Sequence, residues 1–294
     1  MISKKTIAGE NNCARIGMQY FLLMVFLAAI TLTMKPLEVH ASTQYTDQES
    51  NNSFAEAQFI GRNTMAPASR VSGNTQAYRY VTGKLTGRGD EDWYRLVLSP
   101  SFVNYFTISN VTGTVYIDIL NEREEVINTF SYNGTASAEH VFRVEVEDYG
   151  DYYIRLYHDV DITSSYYFTI GNPEYRLGTY TYSFGTQTLP AKGTWEDSIN
   201  LERMPEIPAG AIGHRITVSG CSTAVCTKRY YNTTTNQRWA ATNTTYMKDL
   251  PVVDDSRLAQ EWGIRYISAS KTNQTFTPQF KIDYVYPELP ANEQ

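Results

Sequence analysis

Apolar and polar residues alternate with a period of two along most of the chain from residue 77 onward. In the stretch 151–158, for example, Tyr152, Ile154 and Leu156 share the face that we expect to be buried. Runs of this kind, separated by Gly, Asn, Asp and Pro, predict half-buried antiparallel strands. The first half is predicted to contain eight strands, at 77–86, 92–99, 103–109, 114–120, 124–131, 139–147, 151–158 and 165–171.

The second half continues the same pattern after a short connection at 171–178. Only 256–262 has a helical pattern, and it is one or two turns long. The pattern predicts an all-β fold with two antiparallel, jelly-roll-like β-sandwich domains, at 46–172 and 173–294. Strands of the second half are predicted at 179–187, 197–202, 213–220, 227–233, 237–242, 261–268 and 276–287.

The N-terminal segment has a different composition. Lys4, Lys5 and Arg15 precede an apolar run at 20–32, and small residues follow. This order is typical of a secretory signal peptide, which we expect to be cut after Ala41. The run is shorter than the ~20 residues that span a bilayer. A retained segment 1–41 is the alternative, and it would tether the protein to a membrane.

The charge of the exported chain excludes one class of partner. Without residues 1–41 the chain loses four of its 25 basic and two of its 31 acidic residues, which leaves a net charge of −8. Nucleic-acid binding requires a basic surface, so we expect no nucleic-acid partner. A secreted, extracellular protein is the expectation.

Two cysteines remain in the exported chain, Cys221 and Cys226. Outside the cell, a pair this close in sequence is expected to form a small disulfide loop. Zinc binding is the alternative, and it would require two further ligands nearby.

Four stretches in the first half, in this order, resemble the bacterial pre-peptidase C-terminal domain family, which includes the collagen-binding domains of bacterial collagenases. They are DQESNNSFAEAQFI (47–60), VTGKLTGRGDEDWYRLVL (81–98), YGDYYIRLY (149–157) and SSYYFTIG (164–171). The resemblance covers about residues 46–172. It implies a small β-sandwich that usually accompanies a peptidase, whereas no peptidase motif is present here.

Some members of that family bind calcium between the opening segment and the acidic turn. The positions that match are Asp47, Glu49, Asn51, Asp90 and Asp92, while Asn52 stands where many members have Asp. The residue types agree with this, since calcium takes six to eight hard oxygen ligands. Alternate residues of an extended segment also point the same way. The resemblance and the residues together predict a structural calcium, and a solvated acidic turn is the alternative.

The acidic turn also contains Gly-Arg-Gly-Asp at 87–90. An adhesion role would need Arg88 and Asp90 to be splayed at an exposed loop tip. A tripeptide of this kind is a weak signal by itself. We therefore expect Asp90 to face a metal or to cap the turn.

No sequence motif for catalysis is found. The chain contains neither H-E-x-x-H nor G-x-S-x-G, and its two exported cysteines are expected to be joined. His158, beside Asp159 and Asp161, is the best acid–base-like cluster, and we expect it to be a polar turn after a strand instead. We predict that the protein is not an enzyme. A dispersed pair of carboxylates is the catalytic alternative.

Aromatic residues suggest a binding role instead. Tyr153, Arg155 and Tyr157 share the outer face of their strand, which we predict to hold an extended polymer. Trp195, Trp239 and Trp262 lie in the second half and are expected mainly in its core. The predicted function is a non-catalytic binding or accessory protein for an extracellular protein, polysaccharide or cell surface. A structural envelope or spore-coat protein is the rival prediction.

Overall fold

The computed structural model describes residues 41–134 and 139–293. The predicted signal peptide lies outside the described residues. Within them, no helix is long and apolar enough to cross a membrane. The chain from Ala41 onward clusters as one compact unit.

The first half forms two five-stranded sheets. One has the order β1-β3-β10-β5-β8 and the other β2-β4-β9-β6-β7, and both are antiparallel except for the outer pairs β1–β3 and β2–β4. A helix, α1, spans Pro67–Ser72, and a 3-10 turn spans Phe54–Glu56. The strands are β1 (Thr43–Thr46), β2 (Gln58–Phe59), β3 (Arg79–Leu85), β4 (Glu91–Leu98), β5 (Asn104–Ser109), β6 (Gly113–Asn121), β7 (Val126–Gly134), β8 (His140–Val144), β9 (Gly150–Tyr157) and β10 (Ser164–Gly171).

Alternation along these strands builds the core between the two sheets. Tyr152, Ile154 and Leu156 of β9 are buried in it, as their period predicts. Leu96 and Phe106 reach the same core from β4 and β5, one strand from each sheet. All eight predicted strands of this half are present, so the all-β sandwich prediction is confirmed.

The second half has its own sheets and its own core. Two four-stranded sheets, β11-β20-β14-β17 and β13-β18-β15-β16, are accompanied by the pair β12-β19. A separate apolar cluster includes Trp262, Tyr266 and Phe280. The strands are β11 (Tyr175–Ser183), β12 (Gln187–Leu189), β13 (Thr194–Asn200), β14 (Ile212–Ser219), β15 (Cys226–Thr233), β16 (Ala240–Ala241), β17 (Met247–Asp249), β18 (Glu261–Ser268), β19 (Gln274–Phe276) and β20 (Gln279–Pro287).

The short helix predicted at 256–262 is wrong. A single 3-10 turn spans Asp254–Ser256, and β18 already begins at Glu261. Trp262 is buried in the core and donates from Nε1 to the carbonyl oxygen of Leu258 at 3.1 Å. Burying that indole in the sheet outweighs the weak helical preference of the segment.

A candidate cation site in the first sandwich

The opening segment crosses from one sheet of the first sandwich to the other. After β1, the amide of Asp47 donates to the carbonyl oxygen of Thr82 in β3 at 2.9 Å. A few residues later, the amide of Trp93 in β4 donates to the carbonyl oxygen of Asn51 at 2.9 Å. These bonds hold residues 47–51 against the start of β4, where Asp92 lies.

The turn before β4 brings a further carboxylate to the same place. Gly89 has a φ of 89°, a left-handed conformation that favours glycine. Asp90 Oδ2 accepts hydrogen bonds from the amide of Thr86 at 2.6 Å and from its Oγ1 at 2.8 Å. The turn is therefore fixed by its own aspartate.

Asp47, Glu49 and Asp92 come together as predicted and are called the Asp92 cluster below. Each offers a carboxylate oxygen, and these oxygens lie within 4.8 Å of one another. Asp92 is fully buried, whereas Glu49 is exposed. Asn51 is buried and donates from Nδ2 to Asp47 Oδ1 at 2.9 Å.

The electrostatics of the Asp92 cluster are unfavourable without a cation. The pKa of Asp92 is raised to about 8, mainly by burial, and repulsion from Asp47, Asp90 and Glu49 contributes to this rise while a hydrogen bond from Tyr166 opposes it. The pKa of Glu49 is also raised, by desolvation first and then by Asp47 and Asp90. Every charged group acting on these two pKa values is acidic.

Two buried oxygens in this place lack a hydrogen-bond partner. They are Asn51 Oδ1 and Asp92 Oδ1. Buried acceptors are almost always satisfied by protein, water or an ion. Both unpaired atoms are of the kind that a hard cation prefers.

Two buried tyrosines beneath the cluster were missed by the sequence analysis. Tyr94 OH donates to Asp47 Oδ1 at 2.7 Å, Tyr166 OH donates to Asp92 Oδ2 at 2.6 Å, and the two hydroxyl oxygens are 2.5 Å apart. Three contacts need three protons, and two hydroxyls supply two. A protonated Asp92 would donate from Oδ2 to Tyr166, which would free Tyr166 to donate to Tyr94, so that each contact would have one proton, in agreement with the raised pKa of Asp92. Tyr94 lies two residues after Asp92 in β4, so alternation was the available signal.

The adhesion arrangement at 87–90 is not observed. Arg88 donates from Nε to the carbonyl oxygen of Asp159 at 2.7 Å. Asp90 is held by Thr86 and acts on the Asp92 cluster. The two side chains are therefore engaged within the protein rather than splayed for a receptor.

The prediction of an open aromatic stripe on β9 is wrong at Tyr153. This side chain is 9% exposed, because the ring of Phe54 stacks on it with centroids 3.8 Å apart. Arg155 donates from Nε to Asp118 Oδ2 at 3.1 Å and lies over the ring of Tyr157 at 4.7 Å. The 3-10 turn of the opening segment covers this face, and the period of β9 alone could not reveal the cover.

The predicted disulfide is absent, since Cys221 and Cys226 are free thiols. The pKa of Cys221 is raised to about 12, mainly by burial and then by the neighbouring Cys226. Burial also raises the pKa of Cys226. Both thiols are therefore less acidic than an ordinary cysteine, and their side chains are in contact with each other.

His158 is buried, with its Nδ1 2.5 Å from the carbonyl oxygen of Thr114. The neighbouring Asp159 accepts through Oδ2 from Tyr116 OH at 3.1 Å. His158 therefore follows directly after β9 as a buried residue and does not form an open acid–base site.

A cavity of about 700 Å³ lies at one end of the first sandwich. The β4–β5, β6–β7 and β8–β9 connections line it. Tyr149 and Phe102 stand in its wall with 76% and 55% of their surface exposed. Exposed apolar groups gathered in this way mark interaction surfaces.

No protein-family model matches the chain, and no curated protein matches it in sequence. Among solved structures, it is similar to the crystal structure of a “putative secreted protein” from Eubacterium rectale, with a TM-score of 0.53 and 13% identity. That match covers 85% of this chain and 88% of the other, so the two proteins share a fold over both halves.

A second solved structure is similar over part of the chain. It is the pre-peptidase C-terminal domain of collagenase from Bacillus anthracis, at 18% identity and a TM-score of 0.27. The match covers 39% of this chain and 93% of that domain. Membership of the pre-peptidase C-terminal family stays a prediction.

Proposed function

We propose that the protein is an extracellular, non-catalytic binding protein whose first half is stabilised by calcium. The observation that carries the proposal is the pair of unpaired buried oxygens, Asn51 Oδ1 and Asp92 Oδ1, beside three carboxylates that no basic group neutralises. The N-terminal signal-peptide pattern supports export.

The donor set fits calcium chemically. Asp47, Glu49 and Asp92 supply carboxylate oxygens, Asn51 supplies an amide oxygen, and Asp90 stands nearby with Oδ1 available. Zinc prefers nitrogen and sulfur ligands, which the cluster lacks. Calcium lies roughly 2.3–2.6 Å from each ligand, so it can join oxygens up to about 5 Å apart. Water would complete the six to eight ligands.

The bound ion would have a structural role. The opening segment carries Asp47, Glu49 and Asn51, while Asp90 and Asp92 belong to the turn and to β4. A cation between them would tie the segment to the sandwich. It would also hold Phe54 in its place over Tyr153 on β9.

Thermal unfolding of the purified protein in calcium and in a chelator tests the proposal. A ligand that binds only the folded state at 100 times its Kd stabilises it by about 2.7 kcal/mol. We expect calcium to raise the midpoint by several degrees. The double variant Asp90→Ala with Asp92→Ala should lose this response.

A matched control is Asp254→Ala with Asp255→Ala, which removes two exposed acidic residues from the 3-10 turn of the second half. It should keep the full calcium response. An unchanged wild-type midpoint in calcium and chelator would refute the calcium part of the proposal.

The binding role is supported by the cavity at the end of the first sandwich. Its apolar wall, with Tyr149 and Phe102, is rimmed mainly by acidic residues and by Arg123 and Arg143. Loops held by a rigid sandwich are common binding surfaces. The acidic residues of the rim are Glu122, Glu125, Glu145, Glu147, Asp148 and Asp151.

A further inference from the structure

A hollow of about 400 Å³ opens on the outer face of the β13-β18-β15-β16 sheet in the second half. Its floor is Gly263 in β18, which pairs with Ser198 of β13 on one side and with Asn232 of β15 on the other. The opposite face of β18 carries Trp262 and Ile264 into the core.

Gly263 is needed for space rather than for backbone conformation. A Cβ at this position would lie 2.1 Å from Asn232 Oδ1 and 3.3 Å from the Trp239 ring. Glycine inside a central strand weakens the sheet, and it often marks a point of close approach by a ligand or another chain. Here the destabilising glycine lies at the floor of a concave polar surface.

Trp239 forms one wall of the hollow and is fixed in orientation. The guanidinium of Arg265 lies over the indole, 4.0 Å from the ring centroid. Arg265 Nε is in turn 2.7 Å from Glu196 Oε1. A half-exposed indole held in this way is a preorganised surface for the apolar face of a flat ligand.

The rest of the lining consists of hydrogen-bonding groups. Ser198 pairs with Gly263 and lies on the same face of the sheet. Glu261 accepts from Ser198 Oγ through Oε1, which leaves Oε2 available. Asn232 and Gln237 add amide groups. Carboxylate and amide oxygens close to an indole match a ligand with hydroxyl groups on one edge and C–H groups on its face.

We propose that this hollow binds a neutral saccharide, with Trp239 against the face of one sugar ring and Glu261 and Asn232 on its hydroxyl groups. The inference rests on the proposed binding role and names its ligand class. Three carboxylates, of which Arg265 neutralises one, disfavour uronates, sialic acids and phosphate-bearing polymers by like-charge repulsion.

Titration of the purified protein with tetrasaccharides tests this site. The neutral probes are cellotetraose, mannotetraose and N-acetylchitotetraose, and tetragalacturonate is the anionic comparison. Binding is measured by tryptophan fluorescence and by saturation-transfer NMR. At least one neutral probe should bind, and Trp239→Ala should weaken that binding at least tenfold. Tetragalacturonate should bind at least tenfold more weakly than that probe.

Two smaller substitutions distinguish a loss of binding from a folding defect in Trp239→Ala. Glu261→Gln keeps the size of an exposed side chain and should weaken binding at least threefold. Gly263→Ala fills the floor and pushes Asn232 outward, so it should weaken binding while the thermal midpoint stays within a few degrees. Phe59→Ala, on β2 of the first sandwich, removes an exposed aromatic ring outside both cavities and is the matched control, which should bind like the wild type.

Failure of all three neutral probes, equal binding of tetragalacturonate, or unchanged binding by Trp239→Ala would overturn the inference. The variants that remove the proposed calcium ligands lie in the first half only. A calcium effect without saccharide binding would therefore leave the calcium part of the proposed function standing, and saccharide binding without a calcium effect would leave the hollow standing.

Discussion

Two groups of three carboxylates occur in the described part of the chain, and they are neutralised differently. Glu139, Glu174 and Glu288, here called the Arg176 cluster, offer oxygens within 4.8 Å of one another, as the Asp92 cluster does. Arg176 donates to both Glu139 and Glu288, with Nε 2.9 Å from Glu288 Oε1.

The two clusters show that a count of acidic groups does not identify a cation site. Attraction to Arg176 lowers the pKa of both Glu139 and Glu174, against a larger rise from burial. In the Asp92 cluster, all the charges acting on Asp92 raise its pKa, and two buried oxygens are unpaired. Arg176 supplies a positive charge to one cluster, whereas the charges that act on Asp92 in the other are acidic, which is the basis of the calcium proposal.

The largest expected effect is a dependence of metal-free stability on pH. Folding raises the pKa of Asp92 to about 8, so the folded state holds this proton more tightly than the unfolded chain. In chelator, the free energy of unfolding should therefore be highest at low pH and should fall as the pH rises from about 4 to about 8. One proton gives up to about 1.4 kcal/mol per pH unit, or roughly 3 kcal/mol between pH 5 and 7.

Denaturant unfolding at several pH values in chelator measures this slope. Asp92→Asn, which keeps the shape of the side chain without a titrating group, is the control and should remove most of the slope. Saturating calcium should also flatten it, because the ion displaces the proton. A wild-type slope equal to that of Asp92→Asn would contradict the electrostatic description of the Asp92 cluster.

The next prediction concerns loss of the Arg176 guanidinium, which is the positive charge of the Arg176 cluster. Arg176→Gln should lower the free energy of unfolding by about 1–2 kcal/mol, since its partners are only partly buried and solvent screens them. The loss should be larger at pH 8 than at pH 5, where protonation of Glu139 and Glu174 relieves their repulsion. Denaturant unfolding at the two pH values measures it.

Arg215→Gln breaks a single exposed ion pair with Asp249 and is the matched control. It should leave the midpoint nearly unchanged at both pH values. An equal effect of the two arginine variants would show that Arg176 is an ordinary surface charge and would remove the contrast between the clusters.

The smallest expected effect concerns a glycine behind the Asp92 cluster. A Cβ at Gly83 in β3 would lie 2.1 Å from Tyr166 OH, so Gly83→Ala should displace the buried tyrosine that donates to Asp92. We expect a loss of about 1 kcal/mol, toward the lower end of typical overpacking costs. Calcium binding should also weaken.

Gly150→Ala, at the start of β9, is the control for Gly83→Ala, because nothing lies within 4 Å of its added Cβ. It should change neither stability nor calcium binding. Thermal unfolding with and without calcium distinguishes the two variants. A Gly83→Ala protein with a full calcium response would show that Tyr166 does not position Asp92.

Alternation predicted the strands well, because buried and exposed positions of a half-buried strand differ in polarity along the sequence itself. It also placed Asp47, Glu49 and Asp92 together, with the help of the family resemblance. The contributions of Tyr94 and Tyr166 were missed, since buried tyrosines usually fill a core and nothing local marks a hydroxyl as a donor to a carboxylate.

Contacts between distant segments could not be predicted. Phe54 covers Tyr153 from a 3-10 turn that has no period of its own, so β9 alone appeared open. Arg176 forms ion pairs with Glu139 and Glu288, and the three residues lie far apart in the sequence. The hollow at Gly263 likewise depends on three paired strands and on Trp239 from a connection.

Calorimetric titration of calcium into the purified, metal-free protein tests the central claim most directly. The account predicts one ion per chain and loss of binding in Asp92→Asn. It also predicts that binding releases protons near pH 7, so that the measured heat of binding should differ between two buffers with different ionisation enthalpies. No binding by the wild-type protein, or equal binding by Asp92→Asn, would contradict it.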